Sequence, residues 1–162
     1  MSWNAIIAGC SQNALPHEAL AFFYEMQSLG IKPNSITMVS VFPACADILA
    51  LEQGKHIHGY AIRSGFESNV VVGTGLVDMY TKCGNVNIAY NLFKRMPKEN
   101  VVLWNAIIAG YSGNGYPHEA ITFFNEMQVL GINQIQSPWL LSCLHVRIYW
   151  LWNKVNRCMG MQ

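Results

Sequence analysis

Apolar side chains recur at helical spacing from the start of the chain. The first set lies three and four positions apart and consists of Trp3, Ile6, Ile7 and Cys10. It predicts a helix that ends near Asn13. Pro16 suits the first turn of a second helix. The apolar stripe of that helix consists of Ala19, Phe22, Phe23 and Met26. Gly30 and Pro33 are typical of a helix end, so residues 3–31 are expected to form a helical hairpin.

Two further hairpins follow, and they differ in length. The same helical spacing continues through residues 35–69 and 70–100, which are 35 and 31 residues long. In the first of these hairpins, the predicted helices cover residues 36–46 and 52–64, and Gly65 follows the second helix. In the other hairpin, one predicted helix is closed by Gly84 and the next by Pro97. Each segment therefore reads as a pair of helices joined by a short turn.

The first hairpin is repeated later in the chain. Residues 3–31 and 104–132 share Trp-Asn-Ala-Ile-Ile-Ala-Gly, Pro-His-Glu-Ala, Phe-Phe, Glu-Met-Gln and Leu-Gly-Ile, always 101 positions apart. A constant offset of this kind is the signature of an internal repeat. Because no single hairpin can bury its apolar stripes alone, the repeats are expected to stack into an all-α solenoid. We expect seven or eight helices and no strand.

The repeat pattern ends after Ile132, and residues 136–162 form a divergent hydrophobic and basic tail. Residues 139–152 are strongly apolar and are interrupted by His145 and Arg147. This run of 14 residues is too short to span a bilayer, so no transmembrane segment is expected. A makeshift helical cap on the last repeat, an interfacial segment and an unstructured appendage are the three interpretations.

Composition narrows the functional classes. The 162 residues are 52% hydrophobic with a net charge of +1, which argues against a strongly basic nucleic-acid-binding surface. Five cysteines, none spaced Cys-x-x-Cys, indicate neither a disulfide framework nor a zinc site. Neither a signal peptide nor an Arg-rich transit peptide is visible. Because Met1 falls inside a repeat, the chain is expected to be a fragment of a longer protein.

Short motifs inside the hairpins resemble the pentatricopeptide repeat proteins of the plant subclass in which pure, long and short motifs alternate. The motifs are Ala-Cys-Ala at 44–46, Leu-Glu-Gln-Gly-Lys at 51–55, Leu-Val-Asp-Met-Tyr at 76–80, Lys-Cys-Gly at 82–84 and Met-Pro at 96–97. The corresponding units are a pure motif at 1–34 that lacks its first position, a long motif at 35–69, a short motif at 70–100, a pure motif with a degenerate end at 101–135, and the tail at 136–162.

The resemblance implies a right-handed superhelix whose first helices line a surface for single-stranded RNA, with no binding of DNA expected. Repeats of this type read one unstacked base each through two or three side chains. In the family, the fifth and the last residue of a motif select the base. Those positions are Asn4 with Asn34, Val39 with Asn69, Thr74 with Asn100, and Asn105, whose partner position falls on Ile135.

These positions offer different chemistry to a base. By the resemblance, Asn4 with Asn34 is expected to favour a pyrimidine, cytosine over uracil, and Thr74 with Asn100 is expected to favour adenine. Val39 cannot hydrogen-bond a base, so the long motif is expected to act mainly as a spacer. The asparagines also suit helix caps, and the two uses are compatible. The candidate phosphate contacts are Lys82, Lys94, Arg95 and Lys98.

The same resemblance implies sequence-selective RNA binding in a mitochondrion or chloroplast. The protein would be part of a specificity factor for C-to-U editing or another RNA modification, with other editing factors acting in trans. A cytidine deaminase needs His-x-Glu and Pro-Cys-x-x-Cys to hold zinc and move protons. Neither motif occurs in the 162 residues. We therefore expect this chain to be no enzyme, with no catalytic residue, metal or cofactor.

Two alternatives stay open at this stage. A protein-binding tetratricopeptide-like scaffold shares the alanine and phenylalanine spacing seen at Ala19 and Phe23, and again at Ala120 and Phe124. Its constant period of about 34 residues and its lack of any need for asparagine at the helix start count against it. The other alternative is a non-functional fragment of a longer pentatricopeptide repeat protein.

Overall fold

The computed structural model describes residues 2–132 of the chain. That range contains eight α-helices and no strand, as the apolar pattern predicts. The helices are α1 (Trp3–Gln12), α2 (Pro16–Ser28), α3 (Ser35–Asp47), α4 (Leu51–Arg63), α5 (Val70–Lys82), α6 (Val86–Arg95), α7 (Val101–Gly113) and α8 (Pro117–Val129). The tail at 136–162, with its three interpretations, and Ile135 lie outside the described residues.

The described residues divide into two compact units between Pro97 and Lys98. In the first unit, α1 packs on α2 and α3, α3 also packs on α4 and α5, and α5 packs on α6. The first helices of the three hairpins, α1, α3 and α5, therefore form one layer. The second unit contains α7, which packs on α8.

Asparagine side chains begin four of the helices. The N-cap residues are Asn34, Asn69, Asn85 and Asn100, at the starts of α3, α5, α6 and α7. Each side-chain oxygen accepts a hydrogen bond from a backbone N–H in the first helical turn, where the helix itself supplies no acceptor. Proline begins α2 and α8, where its missing N–H costs nothing. These local choices explain why the helices start where they do.

Each hairpin turn places one residue in the left-handed region of the backbone. The residues are Ala14, Leu49, Gly84 and Gly115, with φ values of 57°, 54°, 78° and 85°. Of these four residues, the sequence pattern predicted only Gly84 as a helix end. The tight connection between the two helices thus imposes this conformation even on residues with a side chain.

In each unit, the core lies between the first and the second helix of each hairpin. Large side chains that are at most 2% exposed fill the first core, among them Ile7, Phe23, Phe42, Leu76, Tyr80 and Phe93. In the second unit, Trp104 is fully buried, and its indole N–H donates to the Lys98 carbonyl at 2.7 Å. Thr37 is a polar side chain with no exposed surface at the start of α3.

Candidate nucleic-acid interface

The first predicted base-reading pair is brought into direct contact. Asn4 lies in the first turn of α1, and Asn34 is the residue just before α3. Because α1 and α3 pack side by side, the Asn4 amide nitrogen donates to Asn34 Oδ1 at 3.2 Å. The repeat register therefore joins the fifth residue of one motif to the last residue of the same motif.

A third side chain completes this contact. Thr37 Oγ1 lies 2.6 Å from Asn4 Oδ1 and donates its proton there. Thr37 Oγ1 also accepts a hydrogen bond from the Asn34 backbone N–H at 3.0 Å. Asn34 Oδ1 in turn accepts from the Thr37 backbone N–H at 3.1 Å, which makes a reciprocal capping box. We call these three residues the Asn4–Asn34–Thr37 network.

The network leaves specific groups of the amides for a ligand. Asn34 Oδ1 is occupied by two backbone N–H groups and by the Asn4 amide. The described part of the chain supplies no partner for Asn34 Nδ2, which carries two N–H donors and belongs to an exposed residue. Asn4 keeps one further N–H. The exposed chemistry of the pair is therefore dominated by donors.

The long motif lacks this arrangement. Its fifth residue is Val39, which is half-buried on α3 and has no polar group. Asn69 caps α5 by accepting from the Val71 and Val72 N–H groups at 3.0 and 3.2 Å. Val72 occupies the position that corresponds to Thr37. That the long motif acts mainly as a spacer stays a prediction.

The second predicted pair, Thr74 with Asn100, is divided between the two units. Thr74 lies on α5, where its hydroxyl donates to the Val70 carbonyl at 2.8 Å. Asn100 caps α7, and its side-chain oxygen accepts from the Val102 N–H at 2.9 Å. Both side chains thus have a structural bond within their own unit.

Asn105 is the fifth residue of α7, and its side chain is unusual. Its Oδ1 atom is buried and has no hydrogen-bond partner among the described residues. A buried acceptor without a partner costs roughly 1 to 3 kcal/mol. The position predicted to pair with it, Ile135, lies outside the described residues.

The candidate phosphate contacts all have partners inside the protein. Lys82 Nζ lies 3.0 Å from Asp78 Oδ2, and Arg95 lies 3.5 Å from Glu67 Oε1. Lys94 lies over the Tyr90 ring and, in the second unit, Lys98 lies over the Trp104 ring, at 5.3 and 5.7 Å from the ring centres. Surface contacts of this kind are weak, so the cations stay accessible to an anion.

The cations of the short motif lie at two ends of one hairpin. Lys82 is the last residue of α5, about 12 Å along the helix axis from Thr74. Lys94 and Arg95 lie in the last turn of α6. Because a three-residue turn makes α5 and α6 antiparallel, the last turn of α6 lies at the end where α5 begins. Lys94 and Arg95 are therefore nearer than Lys82 to the predicted base-reading end.

Comparison with known proteins identifies the repeats. The model of the PPR repeat family matches residues 1–47 and 99–133, and the PPR repeat model matches residues 74–101. The chain belongs to the pentatricopeptide repeat family. The family matches cover the motifs that contain Asn4, Thr74 and Asn105.

Several pentatricopeptide repeat proteins of Arabidopsis thaliana are similar to this chain. The protein At3g23330 is 42% identical over 149 residues, which are 90% of this chain and 21% of that protein. The chloroplastic protein At1g11290 is 46% identical over 132 residues, which are 82% and 16% of the two chains. The chloroplastic protein CRR2 is 45% identical over 133 residues, which are 81% and 20%. The chain spans about a fifth of the length of these relatives.

Solved structures of a pentatricopeptide repeat protein share the fold. PPR10, crystallised in complex with an 18-nucleotide psaJ RNA element, matches with a TM-score of 0.71. The match covers 88% of this chain and 21% of PPR10, at 18% sequence identity. At that identity the likeness shows the all-α helical-repeat fold, which the apolar pattern also predicts.

Two further observations describe the pentatricopeptide repeats of this chain. Among residues 2–132, no cluster of three or more His, Cys, Asp or Glu side chains is arranged to hold a metal ion. None of the described helices is long and apolar enough to cross a membrane.

A polar cluster connects the long and short motifs away from the predicted pairs. Nδ1 of His58 on α4 lies 2.9 Å from the Tyr80 hydroxyl on α5. Nε2 of His58 lies 4.0 Å from Glu67, too far for a hydrogen bond, and Glu67 pairs with Arg95. Burial lowers the pKa of His58 by more than the Glu67 charge raises it. Burial, with smaller contributions from Cys83 and Glu52, raises the pKa of Tyr80 to about 12.

Sequence reasoning missed Thr37 and the His58–Tyr80 contact. The Asn-x-x-Thr spacing of residues 34–37 is a capping-box pattern and could have identified Thr37. The His58–Tyr80 contact joins two motifs at positions 22 residues apart, for which no local pattern exists.

Proposed function

We propose that this chain is a segment of a protein that binds single-stranded RNA with sequence selectivity in a plant organelle, the chloroplast or the mitochondrion. The bases are contacted by Asn4 with Asn34, by Thr74 with Asn100, and by Asn105. The phosphates are contacted by Lys94 and Arg95 in the first unit and by Lys98 in the second, with a smaller role for Lys82.

The observation that supports this proposal most directly is the contact between Asn4 and Asn34 at 3.2 Å. An amide at the start of a helix normally needs only the backbone, as Asn69 does. Here two amides are held together, and three of their four N–H donors have no partner among the described residues. Such a pair suits the Watson–Crick edge of an unstacked base, which is the part that single-strand RNA readers contact.

The relatives support the choice of ligand and compartment. The solved PPR10 complex contains RNA, and two of the similar Arabidopsis proteins are chloroplastic. The near-neutral charge of this chain fits readout of bases better than nonspecific attraction to duplex DNA, which depends on many cations.

The finer part of the proposal concerns the purpose of binding. Alternating motif lengths of 35 and 31 residues are typical of the subclass that directs C-to-U editing, so the segment is proposed to position a transcript for editing or another modification. The chemistry would come from a deaminase domain or from an editing factor in trans. This chain contributes selection of the site.

Binding is tested by fluorescence anisotropy with eight-nucleotide RNA homopolymers in a series of salt concentrations. We expect binding of RNA that weakens with salt, and weaker binding of DNA oligonucleotides of the same sequence. The double variant Asn4→Ala with Asn34→Ala should lose affinity and base preference. The variant Asn91→Ala, which removes an exposed asparagine from α6, is the matched control and should bind as the parent does.

The opposite result favours a protein-binding scaffold. If the folded chain binds no RNA even at low salt, or if Asn91→Ala lowers binding as much as the double variant, the RNA proposal is wrong. Editing is tested separately, by fusing the segment to a deaminase domain and sequencing transcripts for C-to-U changes. Binding without any directed editing would leave the RNA proposal standing and remove its finer part.

A further inference from the structure

The hydroxyl of Thr37 sits between the two base-reading amides. It is fully buried, and its oxygen accepts from the Asn34 backbone N–H at 3.0 Å. It lies 2.6 Å from Asn4 Oδ1 and 3.2 Å from Asn34 Oδ1. A hydroxyl has one proton, and the shorter distance assigns that proton to Asn4.

This network fixes which way each amide faces. Asn34 Oδ1 accepts from the Ile36 and Thr37 backbone N–H groups, so the atom in that place must be the oxygen. Asn4 must then turn its nitrogen toward Asn34. In this orientation the Asn4 oxygen faces Thr37 and accepts its hydroxyl proton at 2.6 Å, which reinforces the same arrangement. The contact with Asn34 therefore excludes the flipped amide of Asn4.

We propose that Thr37 is a positioning residue that sets the base selectivity of Asn4 with Asn34. It does so by holding the amides in the orientation that leaves both N–H donors of Asn34 and the second N–H of Asn4 for a base. This inference rests on the proposed function. These N–H donors suit adjacent acceptors on a base, and cytosine offers N3 and O2 side by side. Uracil places an N3–H donor between its two carbonyls, where it would face the donors of the pair.

The other motifs show that the fold does not require this hydroxyl. Val72 and Leu103 occupy the positions that correspond to Thr37, and both are fully buried. Val72 is nearly the same shape as threonine, and it lies three residues after Asn69, the last residue of the motif whose fifth residue is Val39. Among these three positions, the hydroxyl side chain occurs at the one that goes with an amide, Asn4, as the fifth residue. This distribution is expected if the hydroxyl orients that amide.

The test compares the dissociation constants of the 162-residue chain for eight-nucleotide oligo(rU) and oligo(rC). We expect the parent chain to bind oligo(rC) about fivefold more tightly, and Thr37→Val to reduce that ratio below about two. Thr37→Ser, which restores the hydroxyl, should recover the ratio. Thermal unfolding measured by circular dichroism checks that each variant is folded, and a purely structural role would change stability without changing the ratio.

A second experiment builds the network where it is absent. Val39→Asn with Val72→Thr, next to the existing Asn69, should raise the preference for cytosine, whereas Val39→Asn alone should raise it less. If a folded Thr37→Val has the same ratio of the two dissociation constants as the parent chain, the inference is wrong. If Thr37→Val does not fold, equal gains in cytosine preference from the single and the double variant would overturn the inference instead. Failure of the parent to bind either RNA would instead overturn the proposed function.

Discussion

Ala14 and Gly115 occupy equivalent positions of the duplicated hairpin, and both have a left-handed backbone, with φ values of 57° and 85°. In each case the next residue donates its backbone N–H to a carbonyl near the end of the preceding helix, from Leu15 to Cys10 at 2.9 Å and from Tyr116 to Tyr111 at 3.0 Å. The turn is thus the same in both copies, but only one copy has the residue that adopts it without strain.

Exchanging these residues should change stability in opposite directions. In this backbone region a residue with a Cβ is strained by roughly 1 to 2 kcal/mol, and glycine is not. Part of this advantage of glycine is offset because glycine also gives the unfolded chain more conformational freedom. We therefore expect Ala14→Gly to stabilise the chain by about 0.5 kcal/mol and Gly115→Ala to destabilise it by about 1 kcal/mol. Urea unfolding measures both.

A Cβ added at Gly115 would meet no atom of residues 2–132 within 4 Å, so the expected loss is conformational. Destabilisation by Ala14→Gly would contradict this explanation.

The cap and the proposed base contact of Asn34 can be separated by Asn34→Asp. Aspartate caps helices as well as asparagine does, so stability should change by less than about 0.5 kcal/mol. The carboxylate has no donors, so the preference for cytosine over uracil should be lost and affinity should fall. Asn34→Ala should lose about 1 kcal/mol of stability in addition.

Asn69→Asp is the matched control, because that asparagine also caps a helix, α5, but is the last residue of a motif that has Val39 at its fifth position. It should leave the preference between the two pyrimidines unchanged. A similar change of preference in both aspartate variants would indicate a general effect of charge.

Acid should destabilise the chain through His58. Its pKa is lowered by burial, so the folded state binds the proton less well than the unfolded state does. The stability from neutral His58 is complete above the unfolded pKa of about 6.5 and is lost as the pH falls below it. Urea unfolding between about pH 7.5 and 5 should show this loss, and His58→Asn should show less of it.

His56→Asn is the control, since His56 is exposed on the same helix. It should keep the pH dependence of the parent chain. An undiminished pH dependence in His58→Asn would assign the effect to other groups.

The position of the cations in the short motif leads to a prediction about salt. Each phosphate contact with a single strand contributes about 0.7 to the slope of log affinity against log salt. Lys94→Ala and Arg95→Ala should each reduce the slope by about that amount, whereas Lys82→Ala should reduce it less. Anisotropy titrations in three salt concentrations measure this difference. An effect of Lys82→Ala as large as the other two would place the strand along the whole of α5.

The fold was predictable because its signals are local. The spacing of Phe22, Phe23 and Met26 and the proline at Pro16 define α2 without reference to the rest of the chain. The left-handed residues Ala14 and Leu49 were not predicted, because the closure of the hairpin imposes that conformation against the preference of the residue.

The candidate site was predictable only where the repeat register indicated it. Register and family resemblance identified Asn4 and Asn34 as a pair, and these side chains are in contact. The role of Thr37 depends on where α1 lies against α3, which sequence spacing does not report. The buried Oδ1 atom of Asn105, which has no partner among the described residues, is likewise a product of packing.

The number of reading positions limits what the 162 residues can bind alone. Base contacts by stacking or hydrogen bonding are worth roughly 1 to 3 kcal/mol each. Two complete pairs with such contacts, Asn4 with Asn34 and Thr74 with Asn100, supply about 2 to 6 kcal/mol against an association cost of about 4 kcal/mol or more. Few cations are available to add phosphate attraction, because the net charge is only +1.

We therefore expect the isolated chain to bind a short RNA with a dissociation constant much weaker than micromolar at physiological salt. Joining this segment to further repeats of the same family should raise affinity, because each added motif contributes contacts while the association cost is incurred once. Titration of the monomeric chain, alone and fused to a second copy of residues 1–132, measures both affinities. Nanomolar binding by the single chain would show that its own contacts are sufficient.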